Sequence, residues 1–267
     1  MSRLPTTLLA TGAVVFYLKS RRERQRVERL AAAALESLLN AIDANDPTTG
    51  EHVRRVAAMS LILADARGLS DREQSSVERV ALFHDVGKIH EALFDITHDD
   101  QDLTAAERLQ IATHPQLGAD VVAPLSRFYP DLGDGVLAHH ERWDGTGYPR
   151  GLRGTEIPLT ARLVALADTF DAITHHRRYG AARSAPDAVE VITAERGRQF
   201  DPELTDLFLS PAVQARVHAA LTPPLAATTL PGKRKPAPAR ADVPDVAFRW
   251  RAAPPSSGGA HQVAPAT

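Results

Sequence analysis

"SSVERVALFHDVGK", residues 75–88, decides how this chain folds. The run repeats its apolar side chains at intervals of three and four, the period of a helix rather than a strand. Just upstream, Ser70 with Glu73 three residues on forms a capping box that starts this helix. His84 and Asp85 fall inside the apolar run "VALFHDV", where an unpaired carboxylate is costly to bury. One reading is structural: Asp85 pairs with a neighbouring arginine and His84 meets a backbone carbonyl. The other is chemical. Adjacent helical residues point about 100° apart, so the two would not chelate one ion, yet they can serve two ions bridged by the carboxylate. Lys88, three and four residues on, shares their face, where an ammonium suits a phosphate or a leaving oxygen.

The same periods run outward from residue 25 to 221, with almost no alternating strand pattern. A second capping box, Thr104 with Glu107, precedes "RLQIAT". Gly68 suits the stop of the helix carrying "HVRRVAAMSLILADA". Pro158 and Pro202 suit first helical positions, and His114, standing before Pro115, marks a helix boundary. No internal repeat is present. The expected fold class is all-α, a helical bundle.

A chain of 267 residues has room for one sizeable core with appendages. Its formal charge of −2 gives no global pull toward a nucleic-acid polymer or an anionic membrane. The absence of cysteine excludes disulfides and thiolate metal sites, and it fits a reducing cytoplasmic compartment. Any metal must then be held by His, Asp and Glu.

The expected organisation has four parts. Residues 1–20 contain "LPTTLLATGAVVFYL", Leu4 to Leu18, which carries no charge but falls short of the roughly 20 residues that span a bilayer. "KSRRERQR" follows where a signal-peptide cleavage site would sit. A short membrane anchor and a buried or frayed helix both stand as readings of 4–18. An inserted segment would leave Lys19, Arg21, Arg22, Arg24 and Arg26 at the inner, cytoplasmic face. Residues 21–43 form an amphipathic helix with the stripe Val27, Leu30, Ala31, Ala34, Leu35, Leu38, Leu39 and Ile42. That stripe can pair with a second copy as a homodimer, although packing on its own domain is simpler. Residues 44–221 make the main domain. Residues 222–267, rich in Pro, Ala, Gly and Ser, have the composition of a disordered tail. The basic run "GKRKPAPAR" there reads as a solvated cluster.

The other candidates for chemistry are again histidines and carboxylates. His139 and His140 adjoin a loop, "DGTGYP", with Gly145 and Gly147. Neighbouring imidazoles suit separate ions about 3.5–4 Å apart better than a single ion. Asp168 lies in an apolar helix and raises the same problem as Asp85, with Asp171 as its competitor. His52 opens a helix after "DPTTGE", a position where exposure is the default. His90, His98, His218 and His261 read as solvated or structural.

"HDVGK" followed by "HHERWDGTGYPRGLRGTEIPLTARLVALADTFDAIT" resembles the HD-GYP domain, a branch of the HD phosphohydrolases. Agreement extends to "TTGEHVRRVA" and "GRQFDPEL", so it covers roughly residues 44 to 210. The resemblance implies an all-helical, metal-dependent phosphodiesterase that cuts cyclic di-GMP to linear pGpG, and on to GMP after a second cut. It implies two divalent ions, iron or manganese, and carries the ligands onto His52, His84, Asp85, His114, His139, His140 and Asp168. Asp85 would bridge the ions. His52, His84 and Asp168 would complete one site; His114, His139 and His140 would complete the other. A metal-activated hydroxide would attack phosphorus, with Lys88 stabilising the added charge. Gly145, Gly147, Tyr148 and Pro149 would shape the substrate pocket.

Three departures from the family pattern stand out. Thr48 occupies a position where a three-metal subgroup has glutamate, which favours two ions. The loop "HEALFDITHDDQDL" lacks the usual proline and glycine turns and is acidic. After "DAIT", Arg177 and Tyr179 match the substrate-phosphate segment, but Gly180 replaces its second basic residue. Two further hypotheses therefore accompany the first. One is an HD hydrolase for another cyclic dinucleotide or phosphate ester; the other is a cyclic di-GMP binding effector with little turnover.

Overall fold

A computed structural model describes residues 6–89, 104–175 and 182–221. The chain divides into two units, Met1–Pro223 and Pro224–Thr267, and the described residues lie in the first. Arg177, Tyr179 and Gly180, the acidic loop 90–103 and the tail 222–267 lie outside them, as do His90, His98 and His261.

The architecture is all-α, with no strand ladder among the described residues. The helices are α1 (Thr6–Asn45), α2 (Pro47–Ala66), α3 (Asp71–Phe83), α4 (Ala105–Ile111), α5 (His114–Val122) and α6 (Pro130–Ala138), followed by α7 (Leu159–Thr174), α8 (Ala185–Ala194), α9 (Pro202–Phe208) and α10 (Pro211–Leu221). A short 3₁₀ turn, Val86–Ile89, follows α3.

Helix α2 is central, packing against α1, α3, α7, α9 and α10. Val53, Val56, Ala57, Leu63 and Ala64 are all buried, the three-and-four spacing of one broad apolar face. Opposite it lie Val77, Val80 and Phe83 of α3 and Leu163, Val164, Leu166 and Phe170 of α7. Phe170 meets Phe208 of α9 edge-on at 5.5 Å.

Several helix ends fall where the sequence places them. Thr104 and Glu107 form a reciprocal capping box. Ser70 donates both its amide and its hydroxyl to Glu73. Gly68 ends α2 at φ 81°, in the left-handed region that glycine enters without steric cost.

Four expectations change. First, the composition break at Lys19 is not a structural one, because α1 runs unbroken from Thr6 to Asn45. Second, the α1 stripe is narrower than expected: Ala31, Leu35 and Ile42 are buried, whereas Leu30 is 62% exposed and Ala34 is exposed. Third, Pro158 is the N-cap of α7 rather than its first residue. Fourth, α2 begins a turn before His52, because Asp46 caps it by accepting from Thr48 N and Thr49 Oγ1. His52 consequently sits inside the helix and is buried rather than exposed.

Candidate metal centre

Where a helix stops, its last carbonyls lack intrahelical partners. Three histidines take up such carbonyls in the same way. His84 stands just past α3 and its Nδ1 meets Ala81 O at 2.7 Å. His139 stands just past α6 with Nδ1 2.6 Å from Val136 O. His114 opens α5, and its Nδ1 lies 2.7 Å from Ile111 O, the last residue of α4. A carbonyl only accepts, so each Nδ1 carries the proton and each Nε2 presents a lone pair inward. His84 and Asp85 were expected within a helix; they lie instead between the end of α3 and the 3₁₀ turn.

His52 reaches the same tautomer through a carboxylate. Its Nδ1 lies 2.7 Å from Asp171 Oδ2, and Asp171 is itself clamped by Arg55, whose Nε and Nη2 donate at 2.7 and 3.0 Å. His175 Nδ1 adds a contact at 3.0 Å. Asp168 and Asp171, the two competing carboxylates, are placed differently. Asp171 is buried behind His52, while Asp168 faces the centre with Oδ1 3.3 Å from His52 Nε2.

Asp85 is the hub. Its Oδ2 lies 3.6 Å from His84 Nε2 and 3.8 Å from His52 Nε2; its Oδ1 lies 3.3 Å from His114 Nε2 and 3.9 Å from His139 Nε2. Lys88 Nζ donates to Oδ2 at 2.7 Å. Potential ligand atoms gather into two groups, His52 with His84 and Asp85, and His114 with His139 and His140, each within 4.8 Å. Burial pushes the Asp85 carboxyl upward, but the Lys88 ammonium and the His84 and His114 imidazoles outweigh it and hold it well below the usual carboxylate range. Burial, reinforced by neighbouring imidazoles, drives His139 well below its ordinary value. Burial and His114 push His140 down to about 3. These rings are therefore neutral near pH 7, the state in which imidazole binds a metal.

Two observations test the fit of a cation. His84 Nε2 is buried with no hydrogen-bond partner. His114 Nε2 and His139 Nε2 face each other at 3.1 Å, and with both Nδ1 atoms protonated this places two lone pairs together. Such an arrangement is costly unless a positive charge accepts both. The donor set is nitrogen and oxygen, and it fits divalent cations.

The adjoining loop is braced from below. Gly145 has φ 80°. A Cβ on Gly147 would lie 2.6 Å from Glu141 Cα, so its bare backbone is needed for the loop to close on itself. Glu141 is buried, and its two carboxylate oxygens accept from Arg150 N at 2.7 Å and Leu152 N at 3.0 Å. Arg142 reaches across to Glu195 at 2.7 Å and Gln199 at 2.9 Å, tying the loop to the downstream "GRQF" segment. Tyr148 stacks on His140 at 4.9 Å. Burial, with Asp85 and Asp168 nearby, pushes its phenol up to about 12, so it stays a hydrogen-bond donor. Glu141→Ala leaves two amides without their acceptor and is expected to cost about 1–3 kcal/mol, read as a lower midpoint in denaturant.

Sequence reasoning missed Arg55, the clamping role of Asp171 and the bracing role of Glu141. Arg55 left a signal, since it lies three residues after His52 on the same helical face. Glu141 left none, because its partners nine and eleven residues on are backbone amides. Asp171→Asn removes the negative charge and one of the two acceptor oxygens, so the carboxylate that takes His52 Nδ1 and both Arg55 donors cannot be reproduced in full. It is expected to weaken divalent-ion affinity by about 10–100-fold, measured by titrating Mn(II) into chelator-treated protein; unchanged affinity would remove the positioning role.

The pattern that describes the HD domain matches residues 36–204. The chain belongs to the HD-domain family, and within it to the HD-GYP branch. Among curated relatives, "Cyclic di-GMP phosphodiesterase response regulator RpfG" of Xanthomonas campestris pv. campestris is 37% identical over 190 residues, covering 70% of this chain and 48% of that protein. "3'3'-cGAMP-specific phosphodiesterase 2" of Vibrio cholerae is 36% identical over 175 residues, covering 65% of this chain and 33% of that protein. The chain thus spans a third to a half of the length of these relatives. Among solved structures, Bd1817, a HDG"Y"P protein from Bdellovibrio bacteriovorus, superposes with a TM-score of 0.51 at 21% identity, covering 68% of this chain and 62% of that one. That likeness concerns the fold.

Proposed function

We propose that this chain is a metal-dependent phosphodiesterase that hydrolyses cyclic di-GMP to pGpG, with GMP as the product of a second cut. The observation that carries the reading is the convergence of imidazole lone pairs and Asp85 on one buried centre. His52, His84, Asp85 and Asp168 would hold one divalent ion; Asp85, His114, His139 and His140 would hold the other, iron or manganese being the expected metals. When bound, such a pair supplies a hydroxide at neutral pH and offsets phosphoryl charge.

The chain's own groups do the rest. Lys88 holds a positive charge beside Asp85, placed to receive a phosphate oxygen as negative charge builds on it. The phenol of Tyr148 stays protonated and 36% exposed, able to donate to substrate while stacked on His140. Gly145, Gly147 and Pro149 set the path of the loop that carries it. Arg177 and Tyr179 remain proposed contacts to the substrate's phosphates. On this reading the reaction would run in the cytoplasm and involve no nucleic-acid polymer.

A second reading, 3′3′-cGAMP as substrate, is favoured by the 36% identity to a relative named for it. Incubating the Mn(II)-loaded protein with each cyclic dinucleotide and separating products by chromatography distinguishes them. Faster formation of pGpG supports the first reading; cleavage of 3′3′-cGAMP alone replaces it with the second.

A further inference from the structure

Helix α1 is 40 residues long, and among the described residues its main packing is against α2 and the Val86–Ile89 turn. Among its described side chains the first buried one is Ala31; Lys19, Arg21, Glu23, Arg26, Glu28, Arg29 and Leu30 are all exposed. The helix runs about 37 Å from Thr6 to Leu30, and the described side chains from Lys19 to Leu30 include none that is buried. The sequence along that length is sharply divided. Leu4 to Leu18 carries no charge on any side, the pattern of a helix surrounded by apolar material. Lys19, Arg21, Arg22, Arg24 and Arg26 follow against a single Glu23.

A second copy of the chain does not suit this surface. A coiled-coil seam needs an apolar position at every third or fourth residue, and "KSRRERQR" has none, while pairing would bring two basic clusters together. A bilayer suits both halves. No helix among the described residues is long and apolar enough to cross a membrane, and the uncharged helical stretch from residue 6 to 18 reaches only about 20 Å at the helical rise. We infer that the α1 segment from residue 6 to 26 docks on an anionic bilayer, the apolar part entering the near leaflet and the basic part lying among the headgroups. The catalytic unit would then hang from the surface through the rest of α1. This inference does not depend on which nucleotide is cut.

The test is flotation of the full-length protein with vesicles of phosphatidylcholine alone or with added phosphatidylglycerol. Arg21→Glu with Arg22→Glu and Arg24→Glu forms one variant, and Val15→Asp with Phe16→Asp another; Mn(II) affinity reports that each remains folded. The expected result is partition into the anionic vesicles only, reduced by about 100-fold or more by the first variant and lost in the second. Equal partition into both vesicle types, or binding indifferent to both variants, overturns the inference. So does a protein that stays unbound and instead forms a dimer broken by Phe16→Asp.

Discussion

Asp85→Asn is expected to lower kcat/KM for the cyclic dinucleotide by about 1,000-fold or more, together with loss of bound metal. Asparagine keeps the size of the side chain, so the helix end and the 3₁₀ turn persist. What disappears is the negative charge that lies within 4 Å of four imidazole Nε2 atoms. It is also the only carboxylate seen paired to Lys88 among the described residues. The variant should retain its cooperative unfolding while failing to bind Mn(II). Full activity in this variant would show that the centre lies elsewhere.

Chelation is the second large effect. His114 Nε2 and His139 Nε2 face each other at 3.1 Å, and His52 Nε2 lies between the carboxylates of Asp85 and Asp168, so removing cations would leave facing lone pairs and neighbouring negative charges uncompensated. The apo form should hydrolyse nothing. A ligand present at about 100 times its dissociation constant stabilises by about 2.7 kcal/mol, so treatment with EDTA should lower Tm by roughly 5–10 °C for a domain of this size. Restoring Mn(II) or Fe(II) should recover both. A Tm insensitive to chelation and metal would contradict the reading of these histidines as ligands.

Much of the fold was legible because its signals are local. The capping box at Thr104, the stop at Gly68 and the helix boundary at His114 each rest on residues within one turn. The covered face of α1 was less so: Leu30 has the right residue type for the stripe but is exposed, while the adjacent Ala31 is buried. Of the candidate ligands, His84, Asp85, His139, His140 and Asp168 stood out in "HDVGK", "HHE" and "ALADTFD", whereas His52 and His114 came only with the family resemblance. The positions just past helix ends, which set the tautomers, were not legible. That depends on where α3, α4 and α6 stop, and the sequence around His84 continues its apolar pattern past the end of the helix. Asp168 and Asp171 lie one helical turn apart in the same apolar run. Only the packing of α2 on α7 assigns one to the centre and the other to His52 and Arg55.

The most direct measurement is product formation from cyclic di-GMP by the purified chain, assayed by chromatography with Mn(II) or Fe(II), then with EDTA, then with metal restored. The account predicts linear dinucleotide that appears with metal, stops with chelator and returns on restoration. Cleavage that persists at full rate in EDTA, or no cleavage of cyclic di-GMP or 3′3′-cGAMP by the metal-loaded protein, would contradict it.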